Sequence, residues 1–162
     1  MAPPYGFRPM TTADLPLVKR WLAEPHVVQW WGDPYEQFVL VSGDLEVEAM
    51  DQFIVATNDH TFGYLQCYDL GAWPDSGLGN HPKGTRGIDQ FIGEPNMVDR
   101  GHGSAFIRTF IDRLMASGAP RVITDPDPAS ARAVRAYEKA GFCRGRMVDT
   151  SEGEALLMVR DP

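Results

Sequence analysis

Gly87-Ile-Asp-Gln-Phe-Ile-Gly, followed after a short link by Arg100-Gly-His-Gly-Ser-Ala, is the stretch on which the reading of the fold turns. It reads as a strand, a loop with two glycines, and a helix that runs on through Phe106, Ile107, Phe110, Ile111 and Leu114. The first turn of a helix has unsatisfied N–H groups and the positive end of the helix dipole. Gly101 and Gly103 remove side chains there, so a phosphate could approach those groups closely. Arg100 and His102 add cationic or donor character beside them. Taken alone, two glycines favour an ordinary loop capped by a helix; the surrounding chain changes that reading.

Working outward, Arg121-Val-Ile-Thr-Asp reads as a strand ending at Asp125, stopped by Pro126 and Pro128. Ser130 can cap the next helix, which carries Ala133, Val134 and Tyr137 and stops at Gly141. Two strands around Thr150-Ser-Glu-Gly follow. On the other side, Tyr5 to Pro9 is a first strand, and a helix capped by Thr11 or Thr12 carries Leu15, Val18 and Leu22. Pro25 is expected to end that helix, leaving Pro25 to Gly32 as a loop with Trp30 in the core and Trp31 open to a pocket-wall role. A short helix over Tyr35 to Val41 and an acidic, solvated stretch through Glu46, Glu48 and Asp51 come next. Phe53 to Thr57 and Thr61 to Asp69 form a hairpin, with Tyr64, Gln66 and Tyr68 sharing one face. Residues 70–86 are a long loop in which Trp73, Asp75 and His81 are best able to meet a ligand. The order is strand, helices, three strands, helix, strand, helix, two strands. That is a mixed α/β chain, and its 162 residues are expected to form a single domain over residues 1–162.

Composition narrows the function. The chain is 43% hydrophobic, enough for a substantial core, and carries a formal net charge of −7. That balance gives no broad cationic surface, so nucleic-acid binding is disfavoured. No apolar run is long enough for a membrane span, and no secretory leader is expected. Cys67 and Cys143 have neither metal-ligand nor CxxC spacing, which suits two free thiols in a cytoplasmic protein with no metal.

The glycine loop, the proline-broken strand and Tyr137-Glu-Lys-Ala-Gly-Phe together resemble the acyl-CoA-binding half of the GCN5-related N-acetyltransferase (GNAT) superfamily. Its phosphate loop has the form Arg/Gln-x-x-Gly-x-Gly/Ala; here Val98 stands where Arg or Gln is usual. Four further segments resemble the aminoglycoside 6'-N-acetyltransferases of that superfamily. They are His26-Val-Val-Gln-Trp-Trp-Gly, Arg86-Gly-Ile-Asp-Gln, Thr124-Asp-Pro-Asp-Pro and Arg132-Ala-Val-Arg-Ala-Tyr-Glu-Lys-Ala-Gly-Phe. The resemblance covers nearly the whole chain. It implies a central, mostly antiparallel twisted sheet flanked by helices. It also implies acetyl transfer from acetyl-CoA to the 6'-amine of a small cationic aminoglycoside, by a monomer or homodimer. Acetyl transfer to a siderophore-type hydroxylamine, another small amine or a protein N-terminus is the alternative, and a non-catalytic CoA sensor is a further one.

The resemblance assigns residues as well. Asp89 matches the active-site aspartate and Asp125 the second substrate-binding aspartate. An amine attacks a thioester only when unprotonated, so the site must accept a proton, and a carboxylate can do so. Two carboxylates at adjacent strand ends would bind ammonium groups, and their like charge would raise one pKa. Tyr137 matches the tyrosine beside the thioester sulfur, where a phenol can protonate the departing thiolate. Ser130 replaces the usual asparagine on the CoA arm. Trp31 and Tyr68 match positions lining the sugar site, and Asp75 is carried over on a poorly matching loop. The backbone of Gln90, Phe91 and Ile92 is expected to bind the pantetheine arm as an added strand, and the N–H groups of Gly101, His102, Gly103 and Ser104 to cradle the pyrophosphate, with Arg100 alongside.

Overall fold

The computed structural model describes residues 5–162. The expectation about a leader bears on residues 1–4, which lie outside that range. In chain order the elements are β1 (Tyr5–Pro9), α1 (Leu15–Leu22), α2 (Pro25–Trp31), α3 (Pro34–Asp44), β2 (Met50–Thr57) and β3 (His60–Asp69). They continue with β4 (Arg86–Ile92), α4 (His102–Ala116), β5 (Val122–Thr124), α5 (Ala131–Lys139), β6 (Cys143–Thr150) and β7 (Gly153–Arg160). The seven strands form one sheet in the order β1-β2-β3-β4-β5-β7-β6. β4 and β5 run parallel, while β1–β2, β5–β7 and β6–β7 are antiparallel, so the expected mixed α/β class and mostly antiparallel sheet are what the chain forms. Among the described residues no helix is long and apolar enough to cross a membrane.

The chain divides into two compact units, one of residues up to Cys67 with Gln90–His102, the other of Tyr68–Asp89 with Gly103–Pro162. In the first, β1 pairs with β2 from Tyr5↔Thr57 to Pro9↔Phe53. The apolar spacing predicted for α1 holds: Val18, Trp21 and Leu22 are buried. They pack with Met10, Ile54, Tyr64 and Phe91. Asn58 and Asp59 turn β2 into β3 with φ of 47° and 69°, the paired positive values a two-residue hairpin turn needs.

One segment departs from expectation. Residues 25–31 are helical, because Pro25 occupies the first position of α2, where its missing N–H costs nothing, and does not act as a stop after α1. Gly32, at φ 94°, ends that helix. Helical spacing puts Val27 and Trp31 on one face, and both pack against the core. Trp30, expected in the core, lies on the other side and is 38% exposed. The third helix is also longer than expected, starting at Pro34 behind Asp33, whose carboxylate accepts the Glu36 N–H at 2.9 Å.

In the second unit, β5 runs beside β4 with Arg86↔Val122 and Gly87↔Ile123, and beside β7 with Thr124↔Met158. Ile88, Phe106, Ile107, Ile111, Ile123 and Met158 are fully buried. The stop after α5 is the one the sequence indicated. Gly141 takes φ 99°, and the N–H groups of Gly141 and Phe142 return to the carbonyls of Glu138 and Tyr137, each at 3.0 Å.

Candidate active site

The second unit brings Asp89 and Asp125 together, and local structure explains how. Thr124 is the last residue of β5, and its buried hydroxyl donates to the Ile88 carbonyl at 2.9 Å. That bond ties the end of β5 to β4 one residue short of each aspartate. Beyond Asp125, the Pro126 carbonyl accepts the Leu156 N–H at 2.9 Å, which anchors the outgoing chain to β7. The two carboxyl groups share a hydrogen bond. Burial, the charge of Asp89 and, less strongly, the charge of Glu152 push Asp125 up to about 8. In the isolated protein Asp125 therefore keeps its proton to a higher pH than an ordinary aspartate does. Glu152, in the β6–β7 turn, was missed in the sequence. A charged residue at an exposed hairpin tip reads as solvated, and only the pairing of β7 with β5 brings that turn towards Asp125.

Tyr68 stands over the same strand. A Cβ on Gly87 would lie 2.2 Å from its ring, so the ring occupies the space where that side chain would be. Gly87 and Asp89 are two apart on β4 and share a face, which puts the Tyr68 ring and the Asp89 carboxyl side by side. Trp73 meets Tyr68 edge-on at 5.5 Å, so the long loop does supply an aromatic there. Asp75 is exposed and His81 is not turned to these groups. Its Nε2 donates to the Leu78 carbonyl at 2.8 Å and its Nδ1 faces Arg121 at 3.3 Å, so it fastens the loop instead. Tyr137 is buried on α5, edge-on to Phe142 at 5.4 Å. Ser130 sits at the N-cap of α5 but its side chain makes no cap bond. At φ −82° and ψ 79° the backbone is outside the extended geometry that aims a hydroxyl at the helix N–H groups, and the backbone carbonyl of Ser130 takes the Val134 N–H instead. Gly103 and Ser104 lie in the first turn of α4.

The first unit holds the other candidates. Gln90, Phe91 and Ile92 end β4, with the Phe91 ring stacked on Tyr64 at 5.3 Å and edge-on to Trp31 at 5.1 Å. Trp31 is therefore a half-buried wall on this core. Tyr64 is fully buried, its hydroxyl bonded to Gln52 and Gln66 at 2.9 and 2.7 Å, so it is core packing and not an exposed platform. Arg100 is exposed between two left-handed residues, Asp99 at φ 62° and Gly101 at φ 79°. A Cβ on Gly101 would meet nothing within 4 Å, so this backbone is open to an approaching group. The His102 ring was expected to add a donor beside the helix N–H groups. Its Nδ1 is instead engaged by the Tyr5 hydroxyl at 2.8 Å, and the ring leans on Phe62 at 5.3 Å.

With this geometry in hand, comparison with known proteins is informative. Residues 10–150 match the family model of the acetyltransferase (GNAT) domain. The chain is 34% identical to the aminoglycoside N(6')-acetyltransferase type 1 of Klebsiella pneumoniae, over 94% of this chain and 81% of that protein. Among solved structures, AAC(6')-Ib in complex with parmomycin and acetyl-CoA superposes with a TM-score of 0.86 at 32% identity, covering 97% of this chain and 93% of that one. The same enzyme with coenzyme A and kanamycin gives a TM-score of 0.84 at 33% identity, covering 98% and 95%.

Proposed function

The chain belongs to the GNAT acetyltransferases and, among them, to the aminoglycoside 6'-N-acetyltransferases, and on that premise we propose that it transfers the acetyl group of acetyl-CoA directly to the 6'-amine of aminoglycoside antibiotics. The observation that carries the proposal is the Asp89–Asp125 pair, hydrogen-bonded and with one member pushed up to about 8. A carboxylate pair of this kind binds an ammonium group and can take its proton.

In this reading Asp89 accepts the proton of the 6'-ammonium, directly or through water, and Asp125 holds a second ammonium of the sugar. The freed amine attacks the thioester carbon, the C–S bond breaks, Tyr137 gives the departing thiolate a proton, and the second proton of the nitrogen, lost as the amide forms, returns to the Tyr137 phenolate through water. Tyr68, Trp31 and, more loosely, Asp75 line the sugar. The backbone of Gln90–Ile92 receives the pantetheine arm. The N–H groups of residues 101–104 receive the pyrophosphate, with Arg100 and Ser130 as flanking donors. Holding amine and thioester in register supplies much of the rate gain. We assign residues 1–162 to one acetyltransferase domain acting in the cytoplasm, with antibiotic resistance as its consequence.

The test is thiol release from acetyl-CoA against kanamycin, an analogue lacking the 6'-amine, a hydroxylysine-type acceptor and a short peptide. Turnover that needs the 6'-amine is expected. Turnover only with the hydroxylamine or the peptide would replace the substrate while keeping the cosubstrate.

A further inference from the structure

His26 opens the His26-Val-Val-Gln-Trp-Trp-Gly segment, yet nothing above gives its side chain a task. The structure does. Its Nε2 meets the Ile92 carbonyl at 2.7 Å. The N–H of the same peptide group, that of Gly93, donates to the Phe62 carbonyl at 2.7 Å. The Ile92–Gly93 peptide is thus gripped at both poles, by β3 on one edge and by an imidazole on the other. The next residue is held as well. The Trp21 indole occupies the space a Cβ on Gly93 would need, its ring carbon 2.2 Å from that position, and its N–H donates to the Glu94 carboxylate.

Strand alternation gives this clamp a meaning. Gly93 directs its N–H to β3, so Ile92 and Gln90 present their backbone groups to the opposite edge. That is the edge an added strand would use, and His26 reaches the strand from that side. A carbonyl rotated by even a few tens of degrees misaims the N–H groups next to it, because each peptide is planar.

We infer that His26 is a positioning residue for coenzyme A: it fixes the Ile92–Gly93 peptide and so aims the end of β4 at the pantetheine arm. Nε2 must carry hydrogen to bond a carbonyl, which sets the neutral ring in its Nε2–H tautomer. This inference rests on the acetyl-CoA reading above. It names a group that acts through the backbone, separate from the carboxylates and from the phosphate loop.

The experiment compares two ligands by calorimetry: coenzyme A, and adenosine 3',5'-bisphosphate, which has the nucleotide but no pantetheine. His26→Leu removes the donor; His26→Gln keeps an N–H at similar reach. Leu is expected to weaken coenzyme A about tenfold or more while adenosine 3',5'-bisphosphate stays within about twofold, and Gln is expected to restore most of the loss. Equal coenzyme A affinity in all three proteins, or equal weakening of both ligands by Leu, would overturn the inference. Because His26→Leu could fail to fold, the wild-type His26 ring is also followed by nitrogen NMR. Its Nε2–H signal should be present without ligand and should shift with coenzyme A but not with the bisphosphate; an unmoved signal overturns the proposal. If wild-type protein binds no coenzyme A, the acetyl-CoA reading itself falls, and this result is distinct from a wild type that binds but ignores His26.

Discussion

Gly93 and Gly87 stand at the two ends of β4, and each gives up its Cβ volume to an aromatic ring, Trp21 in one case and Tyr68 in the other. The steric device is the same; the polar surroundings differ. Around Gly93 three polar groups are matched: the Trp21 N–H has Glu94, the Ile92 carbonyl has His26, and the Gly93 N–H has Phe62. Around Gly87 the ring lies on the face of β4 that carries Asp89, whose charge disfavours ionisation of its hydrogen-bonded partner Asp125. The first arrangement contributes to stability. The second costs stability, and such a cost is retained where ionisable groups do chemistry. Substitutions at the carboxylates should therefore cut activity without loss of stability, whereas a packing change at Gly93 itself should cost stability first.

The largest expected effect tests the first half. Asp89→Asn keeps the size and the hydrogen-bonding capacity of the side chain but cannot take a proton. We expect kcat/KM with kanamycin to fall by about 10³-fold, within the range for loss of a general base. At pH 9, where Asp125 is ionised in the wild type, the thermal midpoint should be unchanged or raised, because a repulsive charge next to it is gone. A drop in midpoint with activity retained would reverse the assignment. Next in size is Gly93→Ala, which drives a methyl into the indole of Trp21, a buried ring with no free space. Overpacking of this kind costs about 1–3 kcal/mol. Denaturant unfolding should show that loss, and turnover by the folded fraction should stay within a few-fold. Gly87→Ala is its mirror: the Tyr68 ring must swing, and KM for the aminoglycoside should rise more than stability falls.

Asp125 sharpens the contrast through pH. Its folded value is raised from 3.8 to about 8, so between those values the folded protein holds a proton that the unfolded chain releases. This group's contribution to stability is therefore fully present below about pH 4, declines as pH rises, and is exhausted above about pH 8. Asp125→Asn should flatten that decline and make the protein more stable than wild type at pH 9, by about 1–2 kcal/mol once solvent screening is allowed for. In wild type, kcat/KM should climb as pH passes through about 8, since the fully ionised pair attracts an ammonium best. The substrate amine titrates in the same region, so the diagnostic is the part of the climb that Asp125→Asn removes. A wild-type stability that does not fall between pH 5 and pH 8, contrary to the raised value, would mean that the pair carries no such strain.

The same contrast governs what could be read from the chain beforehand. Element order, the glycine loop and the α5 stop are local signals: a period, a cap, a glycine at positive φ. They were legible, as was the Asp89–Asp125 pair once the segment resemblance was added to two adjacent strand ends. What escaped depends on partners far away in sequence. Pro25 reads as a stop because a proline after a helix and a proline at the start of the next look alike until both helices are placed. Trp30 therefore lies on the exposed side of α2 while Trp31 packs on the core, since a helix and a loop present neighbouring residues differently. Thr124 and Glu152 gained their significance from Ile88 and from the β5–β7 pairing, and His26 from Ile92. No spacing within any one segment announces such contacts.

The smallest effect tests whether the first unit is confined to a holding role at His102, its last residue. The Tyr5 hydroxyl and His102 Nδ1 are 2.8 Å apart in a half-buried setting, beside Phe62. Tyr5→Phe removes one neutral hydrogen bond, worth about 1 kcal/mol. In a chain of this length, that should lower the thermal midpoint by about 2–4 °C. His102 has its Nδ1 turned to Tyr5, and its backbone N–H keeps its direction while α4 keeps its first turn. Affinity for adenosine 3',5'-bisphosphate should therefore change by less than about threefold, below the roughly 1.4 kcal/mol that a tenfold change requires. Should the bisphosphate affinity collapse while the midpoint holds, the imidazole itself touches the ligand, and His102 would join the residues proposed to act on the substrates.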